Sequence, residues 1–295
     1  MRINPDLTAD LLTALSRTQQ DQQDAILQLA TGKRVNRPSD DPQAAAELIL
    51  NHNLSAQNNQ YTQNISSLQA LLQTADSTLS SCVESLNRAI SLGVEAANGT
   101  VSDSDRQSLV QEVTGIQQQL MSQANLSFQG TYVFAGTANQ DPPFVADPTS
   151  PSGVKYIGNS GVNTVAIGEG LQVAANVPGD QLFGAHGADV FQAMQNLITA
   201  LKNNEGIDTA VQGLRTAFDN LTAQRVFYGN TLSQLSSQQV FLQNQQLQLS
   251  TQENDLVGID PAVAASRVVT SKEARDATLA AIGQMSKLNL FDYLT

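Results

Sequence analysis

Tryptophan is missing from this 295-residue sequence, which also has one cysteine and two histidines, and aromatic residues make up only 5%. Charged residues are 14% of the chain, against roughly 25% in ordinary globular proteins. Each shortage removes a class of explanation. A lone Cys82 cannot form an intrachain disulfide. No apolar run approaches the roughly 18 residues a transmembrane helix needs, so membrane insertion is not expected. The opening residues lack the apolar segment of a cleaved signal peptide, so any export would use another route. Basic residues are outnumbered 27 to 15, the net charge is -12, and no basic run is longer than Lys33-Arg34. With a pI of about 4.4, the chain should repel nucleic acid.

Catalytic groups are as scarce. His52 and His186 have no co-ligands at metal-binding spacing. Cys82 falls at an apolar helical position, where a buried inert thiol is the expected role. Gly168 and Gly170 flank Glu169 in a turn pattern without a phosphate-loop motif. The paired acids Asp40-Asp41 and Asp103/Asp105 precede helices, where capping and the helix dipole account for them. Triplets such as Asn98-Gly99-Thr100 are expected by chance in a chain so rich in Asn and Ser. No cofactor, metal site or enzymatic activity is expected.

What the sequence does contain is helical periodicity. A first helix should start at Asn4-Pro5 and stop at Gly32, with Leu12, Leu15, Ile26 and Leu29 on one side. The string TGKRVNRPSDDP, residues 31–42, then breaks the helix, and Asp41-Pro42 restarts it. From there Tyr61, Ile65, Leu68, Leu72, Ala75, Leu79, Cys82 and Leu86 alternate by four and three, the spacing of a coiled-coil seam. If that helix reaches Asn98 it is about 85 Å long. Ser102 to Asp105 should cap a third helix ending before Gly130, with Leu109, Val113, Ile116 and Leu120 on one face.

The period changes after Thr131. Residues 154–157, 165–167 and 171–173 resemble short strands, with turn chemistry at Gly158-Asn159-Ser160-Gly161 and Pro178-Gly179. Helix resumes at Asp189 and breaks at Gly206. A second long helix then carries Leu214, Leu221, Tyr228, Leu235, Leu242, Leu249 and Leu256 at every seventh position. Its other seam positions are mixed, with Val211, Phe218 and Leu232 against Arg225, Gln239, Gln246 and Glu253. Polar seam residues fix register at a cost in stability. The tail from Pro261 is a helix rich in alanine that ends in apolar Met285, Leu288, Leu290, Phe291, Tyr293 and Leu294.

The expected fold is mainly α: a long antiparallel coiled-coil helical rod with a small β-rich inserted domain. Five segments follow: an N-terminal assembly helix and turn at 1–41, the two halves of the rod at 42–130 and 188–258, the β-rich insertion at 131–187, and a C-terminal assembly helix at 259–295. Leu71, Val83 and Ile90 flank the first seam, so a bundle is expected, with neighbouring chains covering what remains. The two end helices have too few apolar positions to fold alone and too many to be solvated tails. Within residues 33–41, Lys33, Arg34, Arg37, Asp40 and Asp41 concentrate charge in a chain that has little. They form either a solvated turn or an inter-subunit contact that sets register.

Three stretches resemble the flagellin superfamily of bacterial flagella. LATGKRVNRPSDDPQAAAELI, residues 29–49, is similar to its N-terminal helix-turn-helix motif. AANGTVSDSDRQSLVQEV, residues 96–113, is similar to a helix junction shared by flagellins. FQGTYVFAGT (128–137), NVPGDQLF (176–183) and KLNLFDYL (287–294) resemble the members that join hook to filament more than the filament subunits. This resemblance implies export through the flagellar type III channel with an export chaperone on the C-terminal region. It implies an extracellular location and terminal helices that order on assembly and line a central channel. It also implies a ring of copies between hook-associated protein 1 and the flagellin filament. The alternatives are a filament-forming flagellin, a coiled-coil scaffold unrelated to flagella, and an enzyme with its site in the β insertion.

Overall fold

The computed structural model describes residues 6–98, 101–185 and 187–291, with side chains described from 9 to 284 outside those gaps. Seven helices and six short strands follow one another along the described chain. Helix α1 spans Asp6–Thr31, and Gly32, at φ +66°, supplies the left-handed residue that ends it. Helix α2 spans Pro42–Ala96 and α3 spans Asp103–Ala124. The Ser102 hydroxyl caps α3 by accepting from the Asp105 N–H. Strands β1 (Ser127–Phe128), β2 (Thr131–Tyr132), β3 (Phe144–Ala146), β4 (Val154–Tyr156), β5 (Thr164–Gly168) and β6 (Leu171–Ala174) come next. Helices α4 (Gly179–Leu182), α5 (Val190–Asn203), α6 (Ile207–Val257) and α7 (Pro261–Phe291) complete the order.

The chain divides into two units, Met1–Gln57 with Asn244–Thr295, and Asn58–Gln243. We call these unit 1 and unit 2. Both α2 and α6 contribute residues to each.

Unit 2 holds the large core. Ile65, Leu68, Leu72, Ala75, Leu79, Cys82 and Leu86 on α2 are buried with Leu214, Leu221, Tyr228, Leu235 and Leu242 on α6. Tyr61, Leu71, Val83 and Ile90 are partly buried and pack against the same core. Within this unit α2 and α6 run antiparallel, since Asp76 meets Arg225 whereas Gly93 meets Val211. The second meeting is close: a Cβ on Gly93 would lie 2.5 Å from Val211 Cγ2. The Arg225 guanidinium donates to both carboxylate oxygens of Asp76 at 2.9 and 3.2 Å, which explains a charge at a seam position. Leu109, Val113, Ile116 and Leu120 of α3 and Phe191, Met194, Leu197 and Ile198 of α5 join the same core.

The β region differs from the expectation in its pairing. Residues 154–156 pair antiparallel with 144–146, and 164–168 pair with 171–174, so Gly158 to Gly161 do not join two strands of one hairpin. Instead the Asn159 side chain accepts from the N–H groups of Thr137 and Gly161 at 2.8 and 3.0 Å and ties two loops together. A further ribbon, 127–128 with 131–132, straddles the expected boundary at 131. Three separate two-stranded ribbons result. An aromatic cluster packs on the β3–β4 ribbon, with the Phe144 ring 5.0 Å from Tyr156, 5.4 Å from Phe183 and 5.3 Å from Phe191.

Candidate assembly surface

Unit 1 is built around two turns. In the first, at 31–41, the two aspartates act locally. The Asp40 carboxylate accepts from the N–H groups of Asn36 at 3.0 Å and Arg37 at 2.8 Å. Asp41 caps α2 by accepting from the Ala44 N–H at 3.1 Å, and also accepts from Arg34 Nη2 at 3.1 Å. These donors, led by the Arg37 N–H for Asp40 and the Ala44 N–H for Asp41, hold both carboxyls below the usual aspartate range. Arg37 lies 3.6 Å from Asp24 of α1.

The second turn joins α6 to α7 and pairs with the first. Arg34 donates its N–H to the Val257 carbonyl at 2.6 Å, Ile259 donates to the Gly32 carbonyl at 3.1 Å, and Lys33 and Gly258 form an antiparallel bridge. Arg34 Nη2 reaches the Leu256 carbonyl at 3.0 Å. Lys33 Nζ donates to Glu253 at 2.8 Å, and His52 Nε2 lies 3.4 Å from the other oxygen of the same carboxylate. The Lys33 ammonium is the main cause that keeps Glu253 below the usual glutamate range. Beneath this network is a small apolar cluster, Val35, Ala44 and Val257, with Leu48 and Leu256 against it. Sequence reasoning missed this cluster. The available signal was Val35, the one aliphatic residue in the polar string 31–42.

Helices α1 and α7 pack on each other through small and polar residues. Ala25 and Ala264 are buried there, Arg275 Nη1 donates to Gln22 at 3.0 Å, and Arg267 Nη1 to Gln28 at 3.4 Å. The apolar residues expected at the assembly surface are turned outward. Leu12 is 62% exposed, Ile26 and Leu29 are also exposed, and Leu15 is half-buried. The side chains of Met285, Leu288, Leu290, Phe291, Tyr293 and Leu294 lie outside the described residues. Of the seam residues in this unit, Leu249 is buried and Leu256 half-buried.

No chemistry of covalent catalysis emerges among the described residues. Cys82 is fully buried, burial pushes its thiol up to about 12, and the thiol donates to Gln123 Oε1 at 3.3 Å. No group of three potential metal-ligating side chains is present among the described residues. His186 lies outside them, and no described helix is long and apolar enough to cross a membrane.

Two continuous helical regions flanking a smaller inserted region place the chain in a class. Residues 6–139 match the family model of the bacterial flagellin N-terminal helical region, and residues 211–294 that of the bacterial flagellin C-terminal helical region. The class is therefore that of flagellin-type flagellar proteins. Over 285 residues the chain is 30% identical to flagellar hook-associated protein 3 of Salmonella typhimurium (strain LT2), covering 90% of each chain. Over 290 residues it is 28% identical to flagellar hook-associated protein 3 of Escherichia coli (strain K12), again covering 90% of each. The fold is shared with FlgL from Bacillus cereus at a TM-score of 0.60 and 22% identity, over 70% of this chain and 99% of that one. The chain belongs to the flagellar hook-associated protein 3 family.

Proposed function

We propose that this chain is a structural, non-enzymatic subunit of the junction between hook and filament in the extracellular bacterial flagellum. Copies arranged in a ring contact hook-associated protein 1 on one side and flagellin on the other. The chain reaches that position by type III export, with a chaperone on its C-terminal region until export. The contacts are made by segments 1–41 and 259–295, through the outward residues of α1 and α7 and the apolar end of the chain.

One observation carries this reading. In unit 1 Leu12, Ile26 and Leu29 of α1 face outward, while α7 meets α1 through a buried alanine and Arg–Gln hydrogen bonds. Such a pair gains little stability alone and gains much when another surface covers it. Family membership sets aside a scaffold unrelated to flagella. A filament-forming flagellin remains the competing reading, opposed by the short insertion and the LFDYL ending. The test is deletion of the gene in its host, with electron microscopy of the cells and an assay of flagellin in the medium. Bare hooks with flagellin shed into the medium are expected. Normal filaments overturn the junction role.

A further inference from the structure

Charge is unevenly spread along unit 2. On α2 no Asp, Glu, Lys or Arg occurs from Asn58 to Ala75, and on α6 none occurs from Val226 to Gln243. The two stretches lie at one level, because the helices run antiparallel and charge returns on both at the Asp76–Arg225 pair. Residues 113–140 and 156–168, which supply β1, β2 and β5, are equally free of charge. Strand β5 spans the same level. Asn64 Nδ2 of α2 donates to the Ala166 carbonyl at 2.9 Å, and a Cβ on Gly168 would lie 3.0 Å from Gln238 Nε2 of α6. The result is an uncharged belt in a chain of net charge -12. Two apolar features interrupt it. One is a groove of about 370 Å³ between α2 and the β1–β2 ribbon, with Leu68, Leu71, Phe128 and Val165 in its walls and Ser67 and Gln129 beside them. The other is a ridge on α6, where Val240 and Phe241 are 54% and 58% exposed. Phe241 is the one aromatic residue left exposed among the described residues.

We infer that the Phe241 ridge of one copy seats in the Leu71–Phe128 groove of a neighbouring copy. The inference rests on the ring arrangement proposed above and adds a contact outside segments 1–41 and 259–295. Charge decides the occupant. Copies of net charge -12 repel one another wherever their carboxylates face. The belt is where they meet without like charges opposed, and a charged side chain from any partner would be buried there without a counter-ion. A second copy brings an apolar ridge at the same level, surrounded by Gln and Ser side chains that match the polar rim of the groove. Because ridge and groove are different surfaces of one chain, the contact runs head-to-tail from copy to copy, the kind that closes into a ring.

The experiment uses the full chain assembled in its host. Ser67→Cys beside the groove and Ser237→Cys one turn from Phe241 place exposed thiols on the two surfaces, while the native Cys82 is buried. Isolated flagella are treated with a short bismaleimide and blotted for this chain. The double variant should give dimers and higher multimers, and each single variant should stay monomeric like the wild type. Adding Phe241→Glu to the double variant should lower the multimers about tenfold, the scale of one large apolar side chain buried at a contact. Circular dichroism of the purified chain verifies that its helices persist. A double variant that crosslinks no more than the singles, or crosslinking unmoved by Phe241→Glu, overturns the groove contact and leaves the ring reading standing. Absence of the wild-type chain from isolated flagella overturns both.

Discussion

Helices α2 and α6 pass through both units, yet the same heptad positions are filled differently in each. In unit 2 they hold Ile65, Leu68, Leu72 and Leu79 against Leu221, Tyr228 and Leu235, all buried. In unit 1 the seam is mixed: α2 supplies Asn51, with Ser55 beside it, and α6 alternates Gln246 and Glu253 with Leu249 and Leu256. There Asn51 Nδ2 donates to the Leu249 carbonyl at 2.8 Å, and Gln246 Nε2 donates to Ser55 Oγ at 2.7 Å. Among the described residues unit 1 leaves ten large apolar side chains exposed and unit 2 seven, although unit 2 is the longer. Apolar seams drive folding, whereas polar seams mainly choose register. Unit 2 therefore carries the stability of the monomer, and unit 1 carries geometry that another surface must complete.

The largest expected effect tests that division directly. Leu79→Ala removes a fully buried side chain from unit 2 and should cost about 3 kcal/mol in urea unfolding. Ile26→Ala in unit 1 truncates an exposed side chain and should change monomer stability by no more than about 0.5 kcal/mol. It should nonetheless weaken assembly. Equal monomer losses from the two variants would erase the distinction between the units. Limited proteolysis with mass spectrometry extends the comparison: segments 1–41 and 259–295 should be cut before the core helices of unit 2. Equal protection would refute the assignment of the ends as assembly elements.

Gly93→Ala comes next. The added Cβ would meet Val211 Cγ2 at 2.5 Å and Leu197 Cδ1 at 3.2 Å, side chains that are themselves packed. Overpacking of this kind costs about 1–3 kcal/mol, measured by the same unfolding curve. Gly32 offers the contrast in unit 1. A Cβ there meets nothing within 4 Å, so any cost of Gly32→Ala comes from its φ of +66°. Smaller still, Arg225→Met breaks the two-pronged contact with Asp76 and should cost about 1 kcal/mol, while Arg37→Met should cost nearly nothing, because its pair to Asp24 is long and exposed.

Both long helices and their starts are legible in the sequence. A seam repeat identifies a helix whatever it packs against, and Pro42, Ser102, Asp189 and Pro261 mark helix starts by local chemistry alone. The β ribbons were harder for a physical reason. Strands of two to five residues carry too little alternation to reveal a partner, and Asn159 looks like a turn residue whether it joins two strands or anchors a distant loop. At the candidate surface, the charge cluster at 33–41 stood out by composition. Its partners did not, because Lys33 finds Glu253 and Val35 finds Val257 more than 200 residues away, and no local pattern encodes such a pairing.

Acid should separate the two units by sign, the smallest effect and the most diagnostic. In unit 1 Asp40, Asp41 and Glu253 have carboxyls held below their usual 3.8, 3.8 and 4.5 by backbone N–H groups, Arg34 and Lys33. A carboxyl lowered in the folded state stabilises the fold above its unfolded value, and that contribution is lost as pH falls through the folded value. In unit 2 burial pushes the Asp189 carboxyl up, against the pull of the Gln192 and Phe191 N–H groups. A raised carboxyl holds its proton more tightly when folded, so the same fall in pH favours the fold at that site. Below about pH 4.5 the paired turns of unit 1 should therefore loosen while α5 keeps its start. Amide NMR signals of Asn36, Arg37 and Ala44 should broaden or move toward unfolded positions before that of Gln192 does. If the Gln192 signal changes first, or all four move together, acid acts on the chain as a whole and the local hydrogen bonds of the first turn are not what holds it closed.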